Sequence, residues 1–236
     1  MFQLDSNAEN AQYVPIMLNI SKGKIVIIGG GEAAYKKAIN LTPHCRSIIA
    51  IAEEFIPEFS ELPIEKVTLH IDLIDQINDH LRHENIIVIA TDDRKLNDMI
   101  SKECISRGIL FNRVDDNRSP FIFPASFQNN GIVVAVSTLG KSPSLSRFIR
   151  DRLEREVTQY AKGFDVIKKL RSNIPSTDLH TKALFFNTLF ETEGFWKLVS
   201  ESRDTEAYDL GKEIFFSMFL KPGKNINTEA RGSGDP

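Results

Sequence analysis

The stretch Lys24-Ile25-Val26-Ile27-Ile28-Gly29-Gly30-Gly31-Glu32-Ala33-Ala34 decides the fold. Its apolar run reads as a buried strand. The glycines then fit G-x-G-x-x-A, with Gly29, Gly31 and Ala34 at the diagnostic positions, and a helix opens at Glu32. Gly29 permits the tight turn out of the strand. Gly31 has no Cβ, so a pyrophosphate can approach the backbone, and Ala34 is small enough for the helix to pack close to the sheet. Free N–H groups at the helix start, aided by its dipole, would face the phosphates. Gly29, Gly30, Gly31, Glu32 and Ala33 are therefore candidate cofactor-binding residues. A bare structural turn is the alternative, and the strand–glycine–helix context favours the dinucleotide.

Strands and helices alternate beyond this unit. Glu32 to Leu41 is a helix that can turn Ala33, Ala34, Ala38 and Leu41 to the sheet, and Thr42-Pro43 stops it. Ser47 to Ala52 is a second strand, apolar throughout as in a parallel sheet covered on both faces. Lys66 to His70 reads as a third strand, Leu73 to Leu81 as a short helix and Asn85 to Ala90 as a fourth strand. Arg94 to Arg107 is a helix with Leu96, Met99, Ile100 and Cys104 on one face and Gly108 as its stop. Ile109 to Asn112 is a fifth strand. Upstream, Val14 to Ile20 is short and apolar and is expected as a lead-in strand after a loose tail. This alternation predicts a doubly wound, Rossmann-type α/β domain with a parallel sheet over roughly the first 115 residues.

The pattern then changes. Phe121 to Phe127 and Gly131 to Ser137 are β-like, with Asn129-Asn130-Gly131 as a turn signal, which predicts a hairpin-type extension. From Pro143 to Phe219 the chain reads as helical. It opens with an apolar stripe of Leu145, Phe148, Ile149 and Leu153, and further helices are expected near 178–190, 193–201 and 205–219. Residues 221–236 carry Gly, Asn and Pro and are expected to be disordered.

The chain has 236 residues, 42% hydrophobic and 26% charged, the mix of a soluble globular protein long enough for a sizeable core. A net charge of −3 gives no argument for nucleic-acid binding. No apolar run approaches the roughly 18 residues of a membrane span. Met1 to Tyr13 is polar and acidic, without the apolar core of a signal peptide. Cys45 and Cys104 are too few for a disulfide framework or a Cys-based zinc site, so a reducing cytoplasm is expected. His44, His70, His80, His83 and His180 have no metal-ligand spacing, and no metal site is assigned.

Open α/β sheets bind ligands beyond the C-terminal ends of their strands. After the second strand, Glu53 and Glu54 follow Gly31 by 22 and 23 residues. That is close to the spacing of an acid that hydrogen-bonds the adenine ribose, and a carboxylate there repels a 2′-phosphate and favours NAD over NADP. A helix-capping or solvated acid pair is the alternative. After the fourth strand, Thr91 or Asp92 could border the cofactor, or an Asp could simply cap the next helix. After the fifth, Asn112-Arg113-Val114-Asp115-Asp116 places Asp115 at the mouth of the same crevice. A carboxylate there could accept a proton while hydride leaves to nicotinamide. A turn residue before Asn117 fits the local sequence equally. Ser137-Thr138-Leu139-Gly140-Lys141-Ser142-Pro143 links the β extension to the long helix. Its hydroxyls and N–H groups could hold carboxylates, while Ser142 or Ser144 could serve only as an N-cap. Arg147, Arg150, Arg152 and Arg155 offer positive charge, though i,i+4 pairing with Asp151 and Glu154 favours a solvated face.

Five blocks in order carry a resemblance: Gly29 to Lys37, Ala90-Thr91-Asp92-Asp93, Asn112-Arg113-Val114-Asp115-Asp116, Phe121-Ile122-Phe123-Pro124-Ala125, and Ser137 to Pro143. Together they resemble the precorrin-2 dehydrogenase / sirohydrochlorin ferrochelatase family, the N-terminal module of siroheme synthases, over roughly residues 14 to 220. The resemblance implies a tail (1–13), an NAD-binding Rossmann domain (14–115), a β-containing dimerisation and active-site region (116–157), a small all-helical domain (158–220) and a second tail (221–236). It implies a homodimer that removes two hydrogens from precorrin-2 to give sirohydrochlorin, with NAD⁺ as hydride acceptor. In some members Fe²⁺ insertion follows, giving siroheme.

Asp115 matches the family's essential aspartate, a base for dehydrogenation and for pyrrole N–H deprotonation. Gly29 to Ala33, Glu53 and Glu54 match its cofactor positions, with Thr91 and Asp92 beside them. Asn112, Thr138, Lys141 and Ser142 are the expected substrate contacts. The family usually has valine at Ala33, often proline at Glu53, and Gly-Gly where Leu139-Gly140 stands. No methyltransferase block follows, so precorrin-2 is expected to come from a separate methyltransferase. Two rival readings are a chelatase with little dehydrogenase activity and a non-catalytic NAD-sensing module, which would need neither Asp115 nor the loop at 138–143.

Overall fold

The computed structural model describes residues 12–116, 119–175 and 178–219. Residues 1–11 of the expected N-terminal tail, the tail expected over 221–236, and Asn117 lie outside the described residues. The chain divides into two compact units, one comprising Met1–Gln128 with Val133–Asp151 and the other Asn129–Ile132 with Arg152–Pro236.

The first unit is built on β1 (Ile25–Ile28), β2 (Ile48–Ala52), β3 (Glu65–Thr68), β4 (Ile86–Ile89) and β5 (Leu110–Arg113), in the sheet order β3-β2-β1-β4-β5. All four pairings are parallel, and Ile25 lies between Ile48 and Ile86. The strand order reverses between β1 and β4, which opens a crevice at their C-terminal ends. The reason lies in the residues. β1, β2 and β4 are Val/Ile/Ala runs buried along their whole length, so both faces must be covered. Val26, Ile28, Ile49, Ile51, Ile87 and Ile89 pack with Ile100 and Cys104 of α2 (Arg94–Arg107). The alternate residues Ile25, Ile27, Ile48, Ala50, Ile86 and Val88 pack with Ala34, Ala38 and Leu41 of α1 (Glu32–Leu41). Each fully buried Ile contributes about 2–3 kcal/mol. The polar strand β3 is one sheet edge, where Glu65 and Lys66 discourage pairing with another chain.

Both helix boundaries agree with the sequence reading; Gly108 closes α2 at φ 67°. Four expectations need correction. Val14 to Ile20 forms no strand, and Val14, Ile16 and Met17 are largely exposed. The helix expected over Leu73 to Leu81 is a 3₁₀ helix over Ile74–His80, and a second one at Pro57–Glu61 buries Phe59. The buried face of α2 is Asn97, Ile100, Ser101 and Cys104, with Leu96 and Met99 to the side. Finally, the strand expected from Phe121 begins only at Ala125. Pro124 offers no N–H to a ladder. Phe121 and Phe123 pack edge to face, 4.9 Å apart, against the α1 layer.

β6 (Ala125–Asn129) and β7 (Ile132–Val136) form the expected hairpin, with Asn130 and Gly131 at φ 40° and 82° in the turn. α3 (Pro143–Lys162) follows, exposing Leu145, Phe148 and Leu153. In the second unit α4 (Phe164–Asn173), α5 (Leu179–Glu191), α6 (Glu193–Ser200) and α7 (Asp204–Phe219) enclose a core of Val166, Leu170, Phe185, Leu189, Phe195, Val199, Ala207 and Phe215. No helix among the described residues is long and apolar enough to cross a membrane.

Candidate functional site

The three glycines do different work. A Cβ on Gly29, whose φ is 133°, would lie 2.2 Å from the Ala90 carbonyl oxygen. A Cβ on Gly30 would lie 1.9 Å from the Glu54 carbonyl oxygen. These two glycines thus let the loop nestle between the exits of β4 and β2, and the Ile56 N–H donates to the Gly30 carbonyl at 2.9 Å. Gly31 differs, because a Cβ there would meet nothing within 4 Å. It is the N-cap of α1, in an extended conformation with no side-chain cap. The first intrahelical bond is Tyr35 N–H to the Gly31 carbonyl, so the N–H groups of Glu32, Ala33 and Ala34 have no intrahelical partner. A bare backbone, open space over Gly31 and an uncapped positive helix end are what a diphosphate requires. The residues present therefore fit a dinucleotide.

The glycine packing brings Glu53–Glu54 and Ala90–Thr91 to one rim. The Glu53 carboxylate accepts from His70 Nδ1 at 2.7 Å, and His70 Nε2 lies 3.1 Å from Asp72. Glu53 first, then Asp72, raises the His70 pKa. The Glu32 side chain turns away to Lys36. Asp92 is exposed, and the cap of α2 is its neighbour Asp93, which accepts from the N–H groups of Lys95 and Leu96.

Asn97 connects this rim to Asp115. Its Oδ1 accepts from Thr91 Oγ1 at 2.6 Å, and its Nδ2 donates to the Thr91 carbonyl at 3.0 Å and to Asp115 Oδ2 at 3.2 Å. Arg113 grips the same carboxylate, Nε to Oδ1 at 3.0 Å and Nη2 to Oδ2 at 2.8 Å. The Arg113 guanidinium, followed by the Asn97 amide, overcomes partial burial and pulls the Asp115 carboxyl down to about 2. Because the folded value lies below the ordinary 3.8, this contact stabilises the fold above the unfolded value and the contribution is lost as pH falls through the folded one. Asp115→Asn is therefore expected to cost about 1–2 kcal/mol at pH 7, after allowance for partial exposure. The difference from wild type should vanish on acidification toward about pH 2, as read from denaturant midpoints across pH. A constant difference at all pH values would reject this.

Asn112 is buried, and both ends of its amide are engaged: Oδ1 accepts from Lys37 Nζ at 3.2 Å and Nδ2 donates to the Phe121 carbonyl at 3.1 Å. It ties α1 and β5 to the start of the Phe121–Ala125 block. Burial lowers the Lys37 pKa, and its ammonium lies 5.2 Å from the centre of the Phe123 ring.

In the loop before α3, Thr138 Oγ1 accepts from the Ser142 N–H at 2.9 Å and lies 3.1 Å from Ser146 Oγ. Ser142 Oγ accepts from the Leu145 N–H at 3.3 Å and so caps α3, with Pro143 at the first helical position. Leu139 takes φ 54°, a region that costs a branched residue about 1–2 kcal/mol and suits glycine. Lys141 is exposed. Among the described residues, this loop's hydrogen bonds stay within 137–146, and none joins it to the glycine rim. Nor is there, among the described residues, a group of three or more His, Cys, Asp or Glu side chains that could hold a metal ion. Sequence reasoning passed over Asn97, Ser101, Arg113 and Lys37. Asn97, Ser101 and Cys104 share a helical face, so the i, i+4, i+7 spacing carried a signal.

Fold and site together define a dinucleotide-binding protein of the Rossmann class. Comparison with known proteins agrees. Residues 16–125 match a family described as "Putative NAD(P)-binding", which bears out the expected NAD-type cofactor. A siroheme synthase of Pseudoalteromonas translucida (strain TAC 125) is 27% identical over 230 residues, covering 95% of this chain and 48% of that protein. Siroheme synthase 2 of Aeromonas hydrophila subsp. hydrophila is 33% identical over 144 residues, 60% of this chain and 30% of that protein. The chain thus spans about half, or less, of the length of these curated relatives. A solved structure of SirC, a precorrin-2 dehydrogenase, superposes with a TM-score of 0.63 at 18% identity, covering 85% of this chain and all of that one, and bears out the fold class. The resemblance drawn from the five sequence blocks is supported: the chain is similar to siroheme synthases along 95% of its own length.

Proposed function

We propose that the chain is an NAD-dependent precorrin-2 dehydrogenase, oxidising precorrin-2 to sirohydrochlorin with release of NADH and a proton. The observation that carries the proposal is the Thr91–Asn97–Asp115 chain of hydrogen bonds. It makes one site of a dinucleotide rim and an ionised carboxylate. Kinship with siroheme synthases supplies the substrate class. Bound NAD⁺ would supply the hydride acceptor. The Glu32 and Ala33 N–H groups would hold its diphosphate, and Glu53 or Glu54 would meet the ribose and disfavour a 2′-phosphate. Asp115 faces the crevice mouth as an anion and accepts the proton that leaves the macrocycle. Asn112 acts from within the wall. Thr138, Lys141 and Ser142 present a hydroxyl- and ammonium-bearing helix start to the substrate carboxylates. The exposed stripe of Leu145, Phe148 and Leu153 supports a homodimer, and precorrin-2 would come from a separate methyltransferase. Fe²⁺ insertion into sirohydrochlorin is the second half of the proposal.

One assay tests both halves: precorrin-2 with and without NAD⁺ or NADP⁺, and with and without Fe²⁺. The expected result is NADH and sirohydrochlorin absorbance with NAD⁺, weaker with NADP⁺, and siroheme once Fe²⁺ is added. Folded protein that binds NAD⁺ yet leaves precorrin-2 unchanged would overturn the dehydrogenase. Metal-dependent loss of sirohydrochlorin without NAD⁺ turnover would favour a chelatase.

A further inference from the structure

The carboxylate proposed to serve the reaction does not hang freely from its turn. Arg113 Nη1 is anchored on α2, donating to Asp98 Oδ1 at 2.6 Å and to Ser101 Oγ at 3.3 Å. The remaining donors of the fork, Nε and Nη2, take one Asp115 oxygen each. The guanidinium is thus tethered at both ends, and its side chain is only 10% exposed. The backbone around it is equally fixed. The Arg113 N–H donates to the buried Ser119 hydroxyl at 2.9 Å. The Val114 N–H donates to the Ile89 carbonyl at 3.0 Å and extends the β4–β5 pairing to the residue before Asp115.

We propose that Arg113 is a positioning residue for Asp115, locking its carboxylate in one orientation at the crevice mouth. The inference rests on the dehydrogenase reading for its consequence in catalysis, though not for its geometry. A planar fork that holds both oxygens leaves the carboxylate no rotation about its last bond. Among the described residues, the groups facing Asp115 are Arg113 from β5 and Asn97 from α2, with Asp98 and Ser101 behind the guanidinium. Arg113 is the cation among these, so its loss removes the main force favouring ionisation. A locked anion suits hydride transfer, because hydride departure leaves positive charge on the macrocycle beside it. The restraint also holds down the basicity of Asp115, so the proton passes onward to solvent rather than staying on the carboxyl.

The test compares wild type, Arg113→Met and Arg113→Lys in the full chain. Carbon-13 labelling of aspartate follows the Asp115 carboxyl by NMR, assigned by its disappearance in Asp115→Asn. Arg113→Met should raise its titration midpoint by about one pH unit or more, and Arg113→Lys, which keeps a point charge without the fork, by less. At neutral pH, Arg113→Met should lower kcat about tenfold or more with KM for NAD⁺ within about twofold, and its acid limb should move up with the NMR midpoint. An Asp115 midpoint unchanged in both variants overturns the proposal, as does a shifted midpoint with unchanged kcat. If Arg113→Met does not fold, Arg113→Lys carries the same comparison. A shifted midpoint in protein inactive on precorrin-2 retains the lock and rejects the dehydrogenase reading instead.

Discussion

Gly31→Val is expected to leave the protein folded and to strip it of NAD⁺. The backbone at Gly31, φ −87° and ψ −173°, is extended and open to any residue. A Cβ there meets nothing within 4 Å, so the unfolding temperature should stay within about 3 °C of wild type. The branched side chain would instead fill the space over the helix start where the diphosphate must come close. Affinity for NAD⁺ should fall at least about 30-fold, roughly 2 kcal/mol, by titration calorimetry. Gly30→Ala is the contrasting control. Its Cβ would stand 1.9 Å from the Glu54 carbonyl and 2.9 Å from the Ala52 Cβ, so the rim itself must move. A Gly31→Val protein with undiminished affinity would mean that the loop is only a turn.

Asp115→Ala is expected to abolish turnover while NAD⁺ still binds. Asp115 reaches the cofactor rim through Asn97 rather than directly, and Arg113 keeps Asp98 as a partner when the carboxylate is gone. The rim should therefore survive. On the proposed reaction, losing the anion at the crevice mouth lowers kcat about 10²- to 10⁴-fold. Calorimetry should return the wild-type NAD⁺ affinity within about twofold. Full activity would reduce Asp115 to a turn residue, and joint loss of activity and NAD⁺ binding would mean the substitution had disturbed the rim.

The sheet was legible because its strands are continuous apolar runs, Ile25–Ile28, Ile48–Ala52 and Ile86–Ile89, that no amphipathic surface element would carry. The two helices were legible because their stops are local, Thr42-Pro43 for α1 and left-handed Gly108 for α2. What failed needed information from elsewhere in the chain. Val14 to Ile20 has strand composition, yet β3 and β5 are the sheet's edges and neither takes it. The Phe121–Ala125 block reads as β, but its rings are recruited by the α1 layer before a ladder can begin. Within the site, the glycines, Thr91 and Asp115 could be named in advance because strand ends are where such residues work. Asn97 was signalled only by the helical face it shares with Ser101 and Cys104, and Arg113 not at all, since each gains its role from a partner 18 or 15 residues away across α2 and β5. Leu139, where a glycine is usual in the family, takes the left-handed backbone that glycine would suit.

The glycine loop also dates the moment at which a nucleotide site can first exist during folding. β1 lies between β2 and β4, and β4 pairs with it across a sequence gap of 61 residues, marked at its start by the Lys24 N–H to the Asn85 side chain. The wall against which Gly29 rests is the Ala90 carbonyl. A nascent β1–α1–β2 segment therefore holds the complete glycine motif but only half of its cradle. The entropy of closing that long loop must be met before any dinucleotide can help to hold the sheet together. Cofactor capture is thus coupled to the slowest, least local pairing of the domain, and from then on bound dinucleotide stabilises the whole sheet by mass action.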